Sequence, residues 1–129
     1  MNRLYLAIFT SAFVFGTANA QGLRPVRPLP SYVCLQLALS PEVIADPARG
    51  VPARDVPSSS GRIVGWAASV VFAPADQQPN AGFLQIVFPD GHRGWVRDIA
   101  LKPWRSSSNP NRKCIPSVMS DGLIGFDFK

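Results

Sequence analysis

The sequence predicts a small all-β protein with antiparallel strands, and three observations support this fold class. Proline occurs 13 times and glycine 10 times in 129 residues, and proline disrupts helix interiors and central strands alike. Short apolar runs rich in β-branched and aromatic residues alternate with these breakers. No apolar pattern with the helical period extends over three turns. Many short strands at close spacing describe a small barrel or sandwich.

The first 20 residues are typical of a secretory signal peptide. Arg3 precedes an apolar run from Leu4 to Phe15, and Ala18–Ala20 forms an Ala-x-Ala cleavage site. The run holds about a dozen residues, whereas a transmembrane helix needs roughly 20. We therefore expect cleavage after Ala20 and a periplasmic or extracellular location. The mature chain would be one small domain, which excludes a two-domain enzyme.

The two cysteines, Cys34 and Cys114, are 80 residues apart. A lone pair in an oxidising compartment forms a disulfide by default. A redox-active pair would instead have the thiols close together as Cys-x-x-Cys. We therefore expect one structural disulfide.

The mature chain begins with an arm, Gln21–Pro30, that holds three prolines and two arginines. This composition predicts an extended polyproline-II segment without a core of its own. The next segment, Ser31–Leu39, alternates with period two and predicts a strand. Its expected core face consists of Val33, Leu35, Leu37 and Leu39.

Turn and strand signals then follow in quick succession up to Trp104. Asp46–Gly50 has turn chemistry, and Asp90-Gly91 is typical of a hairpin. A polar loop is expected from Pro74 to Gly82. The short β-prone runs are Arg62–Val64, Ser69–Ala73, Phe83–Phe88 and Gly94–Val96.

After Trp104 the chain changes character. Arg105–Arg112 is a polar linker, and Lys113–Lys129 contains a second, weaker apolar set. The final residues, Phe126–Lys129, alternate like an edge strand. The predicted organisation is a signal peptide (1–20), a Pro/Arg-rich arm (21–30), a β-barrel domain (31–104), and a polar linker and tail (105–129) tied back by Cys114.

Residues 51–101 contain motifs that occur together in one known family. Ala53–Gly65 (ARDVPSSSGRIVG) places an Arg and a Pro-Ser before a loop and a small apolar strand, and Gly91–Val96 has the more specific form G-x-x-G-W-V. These residues resemble the bacterial SH3 domain family over about half of the mature chain. In this sequence, Phe83 stands where the family usually has Trp, and Ala67–Ser69 where it usually has Gly.

The resemblance implies a small SH3-like barrel of about five to six short strands. An N-terminal strand and a disulfide-tethered C-terminal tail would be additions to it. In such a barrel we expect Gly91 to allow a turn with positive φ, Gly94 to let a neighbouring strand approach, and Trp95 to fill the core. The candidate ligand-binding residues are Trp66, Phe83, Arg93, Trp95, Arg97 and Trp104.

The sequence has few residues that could support catalysis. His92 is the single histidine and has Asp90 two residues before it, but no G-x-S-x-G nucleophile motif is present. Glu42, the sole glutamate, lies in an ordinary turn. Neither a glycine-rich phosphate loop nor a metal-ligand cluster occurs in the sequence. We therefore expect no enzyme activity, no cofactor and no metal.

Positive charge is concentrated between His92 and Lys113. This stretch holds six Lys and Arg residues against Asp98 alone, with Trp95 and Trp104 among them. In the cytoplasm such a pattern would indicate nucleic-acid binding, and predicted secretion argues against it. The alternatives are a merely solvated basic surface or an acidic partner.

Two functions of different classes are compatible with an acidic partner. In the first, the chain is a protein-interaction module or accessory subunit of a periplasmic or membrane-bound assembly, reaching a membrane peripherally through its partner. In the second, it binds cell-wall peptide or glycan. The sequence does not identify the partner.

Overall fold

The computed structural model describes residues 22–129 and confirms the all-β fold class over that range. The expected signal peptide (1–20) lies outside the described residues. The strands are β1 (Pro25–Pro28), β2 (Tyr32–Leu37), β3 (Val51–Arg54), β4 (Ile63–Ala67), β5 (Val70–Pro74), β6 (Phe83–Val87), β7 (Arg93–Arg97), β8 (Leu101–Pro103), β9 (Cys114–Met119) and β10 (Ile124–Phe128). A 3-10 turn, Asp98–Ala100, joins β7 to β8. None of the described residues forms a helix long and apolar enough to cross a bilayer.

Seven strands form one antiparallel sheet in the order β4-β3-β7-β6-β5-β2-β8. The closed barrel that the resemblance implied is not found among the described residues, because β4 and β8 are edges that do not pair with each other. Closure would require a ladder along β8. That strand has three residues and ends at Pro103, which lacks a backbone N–H.

One face of this sheet buries the hydrophobic core. Almost every strand contributes to it, and the fully or nearly fully buried members are Val51, Ala53, Ala67, Val71, Ile86, Val96 and Ala100. Residues of β3 and β4 at one end of the sheet thus share a cluster with residues of β5 and β6. The sheet therefore curves around its own core although its ladder stays open.

Trp95 does not fill this core, so the expectation from the sequence was wrong at this position. On β7 the two neighbours, Gly94 and Val96, are buried, and Trp95 is half-buried on the opposite face. Side chains alternate along a strand, so only one of the two sets can face inward. Gly94 belongs to the inner set because a Cβ there would lie 2.8 Å from the Cβ of Ala53. The inner side of β7 therefore has no room for an indole.

The predicted core face of β2 is half correct. Leu35 and Leu37 pack against the core, but Val33 is 36% exposed and Leu39, beyond the end of the strand, is 64% exposed. On the opposite face Cys34 is buried. The reason is that β2 lies between the core and a second sheet. One face of β2 packs partly on the core, and the other face packs partly on the second sheet.

That second sheet has the order β1-β9-β10 and joins the two ends of the described chain. The arm was expected to be an extended polyproline-II segment without a core of its own, and its backbone is found paired with β9, from Pro25 opposite Met119 to Pro28 opposite Ser117. All four β1 residues are exposed. Prolines are tolerated in β1 because it is an edge strand, where a residue without a backbone N–H leaves no ladder hydrogen bond unmade. The predicted edge strand at Phe126–Lys129 is present as part of β10.

The hairpin predicted at Asp90-Gly91 joins β6 to β7. The register runs from Phe83 opposite Arg97 to Val87 opposite Arg93. Gly91 has φ of 93° and its N–H donates to the Phe88 carbonyl over 2.8 Å. Only a residue without Cβ adopts such a φ at little cost.

Candidate functional site: an arginine–aromatic face

The outer face of β7 presents a row of three large side chains. Arg93 and Arg97 are exposed, and Trp95 lies half-buried between them. Strand alternation puts all three on the side away from the core. From β6, Phe83 lies opposite Arg97 and Gln85 opposite Trp95. We call this surface, with Tyr32 of β2, the arginine–aromatic face.

Arg97 covers Phe83. The guanidinium carbon lies 5.8 Å from the centre of the Phe83 ring, within the range of a cation–π contact. Phe83 itself is only 6% exposed. Phe83 therefore supports Arg97 from below and offers a ligand little surface of its own, so of these two predicted site residues Arg97 is the accessible one.

Arg93 is held by side chains of two other strands, the adjacent β6 and the more distant β2. Its Nη1 donates to Oε1 of Gln85 over 2.8 Å, and its Nη2 makes a long hydrogen bond of 3.4 Å to the Tyr32 hydroxyl. The backbone of Gln85 is in turn bound by the Gln77 side chain, which donates to the Gln85 carbonyl and accepts from its N–H. The Gln77 side chain thus makes the hydrogen bonds that a neighbouring strand would make with β6. It thereby fixes Gln85, the residue that binds Arg93.

The positive charge of the face has no acidic partner in the chain. The ion pairs within residues 22–129 are Arg62–Asp55, His92–Asp90 and Lys129–Asp127. Residues 1–21 contain no Asp or Glu, so they offer no carboxylate side chain. Neither Arg93 nor Arg97 therefore forms an ion pair, and the carboxylate that borders the same depression as Arg97 is that of Glu42.

Arginine–ring contacts recur elsewhere in this small chain. Besides Arg93–Tyr32 and Arg97–Phe83, the structure contains Arg49 over Trp66 at 5.5 Å and Arg112 over Phe128 at 5.9 Å. About one significant cation–π pair per 70–80 residues is typical. Four contacts of this geometry among residues 22–129 indicate a surface enriched in this combination.

The structure does not bring all six predicted ligand residues together. Arg93, Trp95, Arg97 and Phe83 form one cluster, whereas Trp66 lies on β4 and Trp104 follows β8. Trp66 is opposite Pro52 of β3 and contacts Arg49. One strand, β3, lies between Trp66 and β7.

Trp104 forms part of a different feature. Its ring lies 5.3 Å from that of Phe128, and it borders an open cleft of about 420 Å³ with Tyr32, Arg112 and the two cysteines. Tyr32 contributes to both the cleft and the face. We call this second feature the Trp104 cleft.

Sequence reasoning missed Tyr32 and Gln85 as parts of the site. The alternation of β2 does place Tyr32 on the face opposite Leu35 and Leu37, which was visible in the sequence. Its partner, Arg93, is 61 residues away, and no local pattern connects them. The sequence around Gln85 shows only a polar residue between two apolar ones, which does not predict a contact with Arg93.

The expected disulfide between Cys34 and Cys114 is present, with a Cα–Cα distance of 6.1 Å. It joins β2 of the large sheet to β9 of the second sheet. A structural disulfide of this kind indicates an oxidising, extracytoplasmic environment.

His92 and Asp90 form a local turn network. The His92 N–H donates to Asp90 Oδ1 over 3.0 Å and Nδ1 of the ring contacts the same oxygen. The backbone hydrogen bond from His92, and then that from its ring, lower the pKa of Asp90 below its usual value. The ring stacks on Phe88 at 4.2 Å, and Nε2 lies 3.3 Å from the Val64 carbonyl.

This network, then, connects the hairpin to β4. No cluster of His, Cys, Asp and Glu able to hold a metal ion occurs among residues 22–129. The hydroxyls of Ser58 and Ser60 contact each other at 2.9 Å.

Comparisons with known protein families, curated proteins and solved structures find no match for this chain. The chemistry of the site therefore comes from its geometry alone. A guanidinium offers five N–H donors in a planar fork that suits carboxylate and phosphate oxygens. Held over aromatic rings and not engaged in an ion pair, two such groups form a surface that can bind anionic groups.

Proposed function

We propose that this protein is a non-catalytic secreted or periplasmic binding module, and that it acts as an interaction or accessory subunit of a periplasmic or membrane-bound assembly. The observation that carries the proposal is the arginine–aromatic face, where Arg93 and Arg97 lie exposed without an acidic partner. A partner with an acidic surface would complement this charge. The resemblance to bacterial SH3 domains favours the same kind of role.

The location follows from two separate features. The disulfide requires an oxidising compartment, and the sequence Met1–Ala20 has the layout of a cleaved secretory signal. Export to the periplasm accounts for both.

A binding role also agrees with the surroundings of His92. A general base needs a ring nitrogen directed at a nucleophile or substrate. Here Nδ1 contacts Asp90, and Nε2 is directed at the carbonyl of Val64. Both nitrogens therefore have local partners, and the ring stacks on Phe88. We assign His92 to the stability of the hairpin.

Binding of cell-wall peptide or glycan is a second candidate, and the Trp104 cleft favours it. The cleft has aromatic walls from Tyr32 and Trp104 and positive charge from Arg112 and Lys113. Aromatic rings offer flat apolar surfaces to a ligand, and the cations would bind its carboxylates.

Co-purification separates the two candidates. Tagged protein isolated from membranes is expected to recover a stoichiometric partner, and the double variant Arg93→Ala/Arg97→Ala is expected to lose it. The matched control is Arg24→Ala/Arg27→Ala, which removes the same charge from exposed positions on or next to β1. Recovery of no partner, together with sedimentation of the protein with purified sacculi, would replace the first candidate by the second.

A further inference from the structure

We propose that the arginine–aromatic face binds an extended segment of its partner that carries two carboxylates four residues apart, with an apolar side chain midway between them. This inference rests on the proposed function and specifies the chemistry of the partner. It concerns three side chains of β7: Arg93, Trp95 and Arg97.

The spacing follows from strand geometry. A strand rises about 3.3 Å per residue, so the Cα atoms of Arg93 and Arg97 are about 13 Å apart. An extended partner segment has the same rise, and its residues i, i+2 and i+4 point to one side. Acidic residues at i and i+4 would meet the two arginines. The side chain at i+2 would then lie against Trp95.

The supporting contacts restrict the movement of both guanidinium groups. Arg97 rests on Phe83, and Arg93 is bound to Gln85; both partners belong to β6, so the two guanidinium groups lean toward the same neighbouring strand. Arg93 uses one proton of Nη1 and one of Nη2 for its internal bonds. A guanidinium has five donors in total. Arg93 therefore retains donors for a carboxylate.

Trp95 gives the face its selectivity for this pattern. Its indole is half-buried between the two charges, and a polar side chain placed against it would lose hydration without gaining a partner. A lipid surface or a polyanion presents charges at many spacings and has no required apolar group at the midpoint. An acidic-x-apolar-x-acidic segment matches all three positions at once.

The test uses three pentapeptides capped at both ends, of which the first two have identical composition. The probe Asp-Thr-Leu-Thr-Asp has the predicted spacing, and Thr-Asp-Leu-Asp-Thr brings the carboxylates two residues apart. A third peptide, Asp-Thr-Ser-Thr-Asp, keeps the charges and removes the apolar group. Binding is measured by calorimetry, and by the shifts of β7 amide signals in NMR spectra of the oxidised protein.

We expect the first peptide to bind about three- to fivefold more tightly than the second, because the shorter spacing loses one exposed arginine–carboxylate contact. The third peptide should also bind more weakly than the first. Arg93→Ala and Arg97→Ala should each abolish the preference between the first two peptides, and Arg27→Ala should preserve it. Unchanged melting temperatures would show that the variants remain folded.

Two results would overturn the inference, and they differ in what they say of the proposed function. Equal binding of all three peptides that still depends on Arg93 and Arg97 would remove the spacing rule and leave an acidic partner in place. Absence of binding by all three would remove the peptide ligand altogether. Co-purification with the double arginine variant would then decide the proposed function independently.

Discussion

At the scale of single residues, the inner face of the large sheet depends on small side chains. Ala53 and Ala67 are fully buried, and a Cβ on Gly94 would lie 2.8 Å from the Cβ of Ala53 and 3.2 Å from Cγ2 of Val64. Larger groups at these positions would separate strands that now pack closely.

Gly94→Val should therefore destabilise the fold. Overpacking of a dense core costs typically 1–3 kcal/mol, and we expect a loss in the upper part of about that range. Urea denaturation of the oxidised protein would measure the loss. Gly22→Ala is the control, since nothing lies within 4 Å of its added Cβ, and equal stability of the two variants would contradict the packing argument.

Asp90 links stability to pH. Because its pKa is lowered by the hydrogen bonds from His92, its ionised form stabilises the folded state. This contribution is complete above the pKa of the unfolded chain, about 3.9, and is lost as pH falls through the lower folded value. Asp90→Asn should thus have a lower urea midpoint than the native protein near pH 7, and the difference should shrink as pH falls below about 3.9. A difference that does not shrink with acidification would assign the effect to packing instead of charge.

At the scale of elements, an aromatic row connects the two sheets. Phe72 of β5 stacks on Phe126 of β10 at 4.2 Å, Phe126 lies 5.8 Å from Phe128, and Phe128 lies 5.3 Å from Trp104. Residues from three separate parts of the chain thus form one contact series. The disulfide joins the same two sheets beside it.

Phe126→Ala should weaken this connection. Phe126 is half-buried, so we expect a loss of about 2 kcal/mol, below the 3–5 kcal/mol typical of a fully buried Phe. Phe128→Ala, at a ring that is 42% exposed, should cost less. Denaturant midpoints of the two variants give the comparison. A larger loss for Phe128→Ala would show that the Phe72–Phe126 stack is not the main stabilising contact of the row.

At the scale of the whole molecule, the disulfide between Cys34 and Cys114 closes a loop of 80 residues. The chain-entropy estimate for a loop of this length is about 4–5 kcal/mol, a large part of the 5–15 kcal/mol that is typical of small domains. Reduction should lower the melting temperature markedly. It should also increase hydrogen exchange in β9 and β10 before β6 and β7, because the second sheet would lose its covalent connection.

Cys34→Ser/Cys114→Ser supplies the control for this experiment. Its melting temperature should match that of the reduced native protein and should not respond to reductant. An unchanged melting temperature on reduction of the native protein would show that the disulfide contributes little to stability.

The sequence was sufficient for features whose causes are local or covalent. The all-β class, the hairpin at Gly91 and the edge strand at the end of the chain follow from proline content, turn chemistry and alternation. The pairing of Cys34 with Cys114 follows from there being two cysteines and an oxidising compartment. None of these features depends on what lies across the fold.

Features that depend on distant segments required the three-dimensional structure. Alternation shows that a strand has two faces but does not say which one is covered, and so Trp95 was expected inside although Gly94 and Val96 occupy that side. The arm pairs with a strand about 90 residues later, and Tyr32 meets Arg93 across 61 residues. Such contacts arise because the sheet curves around its core and a second sheet covers part of its outer face. The arginine–aromatic face is the part of that outer surface from which Arg93 and Arg97 extend into solvent.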